Sequence, residues 1–341
     1  MGRAGRIRAP FVLLTLAALL AAACVAGAAF GAVPLSAAEV VGAFAAALRG
    51  SALTPVQTLV VNLRLPRVIL AALVGACLAA AGVLYQALFR NALADPYILG
   101  VSSGAGLGAA LAFAAGGTGA VAIWAPPLAA FAGALATILL VAALSARRGV
   151  IETMSLLLAG VAVSYTLAAL TSFVLVVRRE QMSRIVFWMM GGLQGATWQQ
   201  VGVVAVMLIG GLSVALVYAR ELNIMLLGDE RAGELGVHVE RVKRVILAAA
   251  SLVVSAAVSV SGLIGFVGLM TPHAARLVLG PDHRLLLPAS VLSGAIVMVL
   301  ADLVARVVLA PVELPVGIVT ALAGGPVFVW LLVRGRRGAA L

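Results

Sequence analysis

Apolar runs of about 20 residues recur along the whole chain, and each is long enough to cross a bilayer core as a helix. Inside hydrocarbon a backbone must bond to itself, so continuous runs of this length select helices. The candidate spans cover roughly 10–33, 66–88, 94–115, 121–144, 153–176, 199–219, 244–260, 263–279, 285–305 and 315–333. With 64% hydrophobic and 10% charged residues, a soluble globule is excluded. The expected fold is an all-α polytopic membrane protein of about ten transmembrane helices. A single transmembrane domain is expected over 1–341, with an outer loop at 34–65.

The net charge of +11 raises the question of nucleic acid. The basic residues fall in small clusters between spans rather than along a phosphate-tracking stripe, so the expected surroundings are lipid, with no nucleic-acid partner. Threading ten spans from an inside N-terminus puts 16 basic residues inside and 7 outside. That bias favours both termini in the cytoplasm. Arg3, Arg6 and Arg8 ahead of an apolar run to Cys24 imitate a secretory signal. The run continues to about Val33, so a retained first span is expected. Cys24 and Cys77 lack metal-type spacing and read as small core residues.

One polar island interrupts the hydrocarbon. Residues 220–244 hold five of the twelve acidic and five of the 23 basic residues. Such a segment must sit in water, is long enough for short helices, and offers a grip for a soluble partner. Of the 23 basic residues, Lys243 is the only lysine.

Other stretches read by local chemistry. Ser36 is placed to cap a short helix reaching about Arg49. Arg64-Leu-Pro-Arg67 reads as a helix start, because proline is cheap there, with the two arginines sharing a face at the external surface. Gly100, Gly104, Gly106 and Gly108 read as close helix packing. No phosphate-loop pattern occurs, so nucleotide hydrolysis must happen on another chain. The double glycine at 191–192, between Trp188 and Trp198, fits either a re-entrant turn or an interfacial loop. Gly262, Gly265 and Gly268 suit a closely packed edge, and Asp302 and Arg306 suit a helical ion pair.

Together these stretches resemble the metal-chelate permease family of ABC importers. The resemblance is carried by Arg64-Leu-Pro-Arg67, Gln86-Ala-Leu-Phe-Arg-Asn91, Asp95-Pro96, Gly228-Asp-Glu-Arg-Ala232 with Leu235-Gly236, and Gly265-Phe-Val-Gly-Leu269. Pro272-His273, Asp282-His-Arg284, Ala301-Asp302 with Arg306, and Glu313-Leu-Pro-Val-Gly317 complete it. The 188–198 stretch resembles the cobalamin-carrying branch.

The resemblance implies a homodimer around a central pathway, two cytoplasmic ATPase subunits and an external substrate-binding protein. The cargo it implies is an iron chelate (siderophore or haem) or cobalamin. It implies coupling helices at about 221–240, with Asp229, Glu230, Arg231, Leu235 and Gly236 coupling to the ATPase. It implies docking of the binding protein at Arg64, Arg67 and Arg306. It implies inner gate segments at Asn91, Ala92, Leu93, Thr153 and Met154, where Ala92 stands in place of the family's usual proline. No catalytic residue, metal ligand or cofactor is expected. The alternative is an ion-coupled secondary transporter, which needs a buried mid-span carboxylate, and none is evident in the sequence.

Overall fold

The computed structural model describes residues 3–31, 35–50, 53–147 and 150–338. Fifteen α-helices follow in order: α1 (Arg3–Ala29), α2 (Ala37–Leu48), α3 (Pro55–Leu59), α4 (Leu65–Leu88), α5 (Val101–Ala115), α6 (Gly119–Ser145), α7 (Thr153–Val177) and α8 (Met182–Met189). They continue with α9 (Trp198–Val217), α10 (Ala219–Met225), α11 (Asp229–Glu234), α12 (Val239–Ser261), α13 (Val267–Leu279), α14 (His283–Val307) and α15 (Val316–Gly338). Two-residue strands β1 (Ala146–Arg147) and β2 (Val150–Ile151) pair antiparallel between α6 and α7.

Among the described residues, seven helical runs are long and apolar enough to cross a membrane. The remaining three expected spans correspond to α5 and α13, of 15 and 13 residues, and to α15, whose apolar part is Val316–Trp330. Two of these fall short for the same reason. The expected span 94–115 starts as an irregular climb over 89–100, and 263–279 starts as an irregular break over 262–266. A Cβ on Gly268 would meet both Pro96 and the Leu78 carbonyl, so Pro96 has climbed to the level of Leu78. At 1.5 Å per residue, that is about 15 Å back along α4 from Leu88.

Irregular backbone at such depth must be satisfied by protein. Here the Tyr97 hydroxyl does it, donating to Ile264 O at 3.0 Å and accepting from Ile264 N–H at 3.1 Å. Of the three glycines expected to form one packing edge, only Gly268 lies in a helix. Gly262 ends α12 at φ +67°, and Gly265 belongs to the break.

The central helix is α4, buried over most of its length and packed by α14, α12, α13, α9 and α1. Its helical run begins at Pro55, eleven residues before the proline expected to start it. Pro66 is accommodated by a π-helical turn, Val60–Arg64, in which Leu65 N–H reaches back to Val60 O. Small residues set the distance between helices. A Cβ on Gly75 would strike the Gly294 carbonyl, and one on Gly294 the Gly75 carbonyl, so α4 and α14 touch backbone to backbone. Gly104 of α5 and Gly133 of α6 repeat the arrangement, as the glycine run predicted.

Ser36 caps α2 as expected, in a capping box with Glu39. The glycine pair after α8 forms a turn folded onto the bundle: Gly192 N–H donates to Ser261 O at 2.8 Å, and α8 packs against α5.

Candidate functional site

Charge gathers at the two ends of the bundle. At one end α10 and α11 fold the polar island into a compact unit, and α12 starts within it at Val239, five residues earlier than expected. Asn223 anchors α10 to the start of α14. Its Nδ2 donates to Asp282 Oδ1 at 2.7 Å, and its Oδ1 accepts from His283 N–H at 2.9 Å. Burial opposes ionisation of Asp282, but hydrogen bonds from Asn223 and Arg284 N–H, with the charges of Arg284 and His283, outweigh it. The Asp282 carboxyl is held below its ordinary value.

Asp229 opens α11 but turns inward. Its Oδ2 lies 2.7 Å from Lys243 Nζ and 3.8 Å from Arg90 Nη2. Lys243 is buried, its stem covered by the bundle and its ammonium held by Asp229. Lys243 was given no role from the sequence; its being a single lysine among 22 arginines is the one signal that could have drawn attention to it. Glu230, Arg231 and Gly236 are exposed, and Leu235 is 61% exposed, large for a leucine. Of the five residues singled out here, four face outward and Asp229 ties the unit together.

The Leu235-Gly236 pair has a structural reason. Gly236 N–H donates to Gly233 O and Val237 N–H to Ala232 O, both at 3.0 Å, with Gly236 at φ +83°. This is the Schellman ending of a helix, which glycine favours. The end of α4 has the same bonds, Arg90 N–H to Ala87 O and Asn91 N–H to Gln86 O, yet the left-handed position holds Arg90 at φ +46°. An L-residue there costs about 1 kcal/mol relative to glycine. The next turn is tight: Asn91 Oδ1 accepts from Leu93 N–H at 2.9 Å. Asn91 and Leu93 are exposed and Ala92 is half-buried; at the start of α7, Met154 is exposed and Thr153 half-buried.

At the opposite end three arginines meet two carboxylates. The last turn of α1 leaves carbonyls without helical partners. Arg64 Nη1 donates to Ala28 O and Ala29 O, at 2.8 and 3.0 Å, and Arg306 Nη2 to Gly27 O at 2.8 Å. Two guanidiniums thus cap α1, at the end where its dipole favours positive charge. Arg306 Nε also lies 3.0 Å from Asp302, the pair expected from their spacing. Arg64 and Arg306 are therefore buried rather than at the surface, and Arg64 does not share an exposed face with Arg67. Arg67 bridges Asp302 and Glu313, each at 3.0 Å, and lines a cavity of about 260 Å³ with Gln194, Trp188 and Glu313.

The description of the FecCD transport family matches residues 18–334, nearly the whole chain. The chain belongs to the FecCD family. Among FecCD-type relatives, the cobalamin import system permease protein BtuC of Halobacterium salinarum is 48% identical over 88% of this chain and 79% of its own length. The hemin transport system permease protein HmuU of Yersinia pestis is 42% identical, over 81% of this chain and 83% of its own. A solved structure described as an inward-facing conformation of a metal-chelate type ABC transporter superimposes with a TM-score of 0.82 at 33% identity. It covers 95% of this chain and 99% of that one. The FecCD assignment makes this a multi-pass membrane permease.

Proposed function

We propose that the chain is the permease subunit of an ATP-binding-cassette importer for a metal chelate, with cobalamin the first candidate cargo and haem or siderophore iron the next. What carries the reading is the α10–α11 unit. It projects from a hydrocarbon-rich bundle and exposes Glu230, Arg231 and Leu235 to a soluble partner. Cobalamin comes first because it is the named cargo of the relative at 48% identity.

The partners are two copies of a cytoplasmic ATPase, an external binding protein and a second copy of the chain. Both termini and the α10–α11 unit face the cytoplasm, in the bacterial inner membrane, in keeping with the basic-residue bias. ATP binding displaces α10 and α11, and the turns at Asn91, Ala92 and Leu93 and at Thr153 and Met154 open or close the inner gate. The pathway shifts between two states with no chemistry on the cargo.

The binding protein docks at the opposite end. Arg67 makes the contact, while Arg64 and Arg306 hold α1 in position beneath it. Arg64→Glu would set a carboxylate against the Ala28 and Ala29 carbonyls, and Arg67→Glu one against Asp302 and Glu313, so docking is tested at Arg67 with thermal stability read alongside and Arg67→Lys as the charge-keeping control. An ion-coupled carrier needs a carboxylate free to take up an ion; buried Asp302 is held between two arginines, and Asp95, carried inward beside Pro96, accepts from Tyr97 N–H at 2.8 Å.

The test is uptake of radiolabelled cyanocobalamin by proteoliposomes containing the chain, its ATPase and its binding protein. Accumulation should require ATP and survive an ionophore. Gradient-driven uptake without the ATPase would refute the reading. If ATP-driven uptake fails with cobalamin but succeeds with haem or a ferric siderophore, the cargo order is wrong and the importer stands.

A further inference from the structure

Asp229 joins three separate pieces of chain. It belongs to α11, its carboxylate is held by Lys243 from the first turns of α12, and it faces Arg90 at the end of α4. The contact extends to backbone: a Cβ on Gly228 would lie 3.5 Å from Arg90 Nη1, so the guanidinium rests against the entry to α11. Arg90 occupies a left-handed helix-ending position where glycine is the easy residue, as Gly236 demonstrates at the end of α11. A non-glycine residue at such a position is uncommon and directs attention to what its side chain does. Stability is a poor candidate for that role. The pair is 3.8 Å apart with Arg90 45% and Asp229 33% exposed, and ion pairs so placed contribute little.

We infer that Asp229 and Arg90 form the mechanical link that carries displacement of α11 into the 90–94 turn, with Arg90 as a positioning residue. Lys243 fixes the carboxylate to the rigid start of α12, so Asp229 moves as part of a body. Arg90 directly precedes Asn91, whose side chain closes the next turn. A push on α11 therefore reaches the 91–93 segment through one ion pair and one peptide bond. The inference rests on the reading of α10–α11 as the ATPase contact and adds the route by which that contact reaches the gate.

Arg90→Gly separates link from structure, because glycine keeps the helix ending and relieves the backbone while removing the guanidinium. Arg90→Asn does the same with a residue that tolerates left-handed geometry, and Arg90→Lys restores the charge. The chain is purified with its ATPase, and a maleimide reports the accessibility of Leu93→Cys, with Cys24 and Cys77 replaced by alanine. Labelling rates are compared without nucleotide and with ATP plus vanadate. With Arg90 present the rate should change roughly five-fold or more, the scale of ordinary inter-site coupling. In Arg90→Gly and Arg90→Asn the change should fall to about two-fold or less, with thermal midpoint and bound ATPase unaltered, and Arg90→Lys should recover most of it. An undiminished change in Arg90→Gly, with the ATPase still bound, overturns the link alone. Failure of the Arg90 chain to hold the ATPase overturns the coupling reading and the link with it.

Discussion

Arg67 Nε stands 3.0 Å from Asp302 Oδ1, tying the first turn of α4 to the end of α14 around a carboxylate that is 1% exposed. Arg306 approaches the same carboxylate from the other side, so one buried negative charge organises two guanidiniums that also hold α1 and Glu313.

Removing that carboxylate leaves like charges facing each other. Asp302→Ala should lower stability in detergent by roughly 3–5 kcal/mol, the usual cost of breaking a buried pair from one side. Asp302→Glu should lose less. Thermal unfolding followed by circular dichroism reads the difference.

The α4–α14 contact is the strictest packing constraint in the bundle. Gly75→Ala and Gly294→Ala each force a methyl into a facing carbonyl and should cost about 1–3 kcal/mol or more, while Gly202→Ala and Gly210→Ala, with nothing within 4 Å, should be neutral or slightly stabilising. Size-exclusion profiles and thermal midpoints of the four variants test this together.

Asp282 should make the α10–α14 junction acid-sensitive. Its carboxyl is held below the ordinary 3.8, so its charged form favours the folded state. That contribution is complete above the unfolded value near 3.8 and is lost as pH falls through the lower folded value. Asp282→Asn should flatten this part of the acid profile, and Asp282→Ala should cost about 1 kcal/mol at neutral pH through the lost cap. Hydrogen exchange at Arg284 and Leu285 across pH reads both effects.

Much of this fold was legible in the sequence because hydrocarbon leaves so few options. Apolar length located the helices, Ser36 marked a cap and the glycine run marked a close helix contact, though not that its partner would be α6. What was not legible depends on partners distant in the chain. The 89–100 climb needs the Tyr97–Ile264 bonds, across 167 residues, to satisfy its backbone. Pro66 looked like a helix start because a proline tolerated by a π-turn has the same letter. Arg64 and Arg306 looked like surface charges because the α1 carbonyls they cap lie 35 and 279 residues away. Lys243 was assigned no role from the sequence, because its partner Asp229 lies on a separate helix and meets it only through the fold.

On the proposed function, the α10–α11 unit binds an ATPase. Leu235 offers an exposed apolar anchor beside Glu230 and touches little of its own chain, so Leu235→Asp combined with Glu230→Lys should leave the bundle intact. The most direct measurement is the amount of ATPase that co-purifies with the wild-type chain and with this double variant at matched expression. The wild-type chain should bind the ATPase stoichiometrically, and the variant should lose about ten-fold or more of it with an unchanged thermal midpoint. Full retention of the ATPase by the variant would contradict the proposed contact.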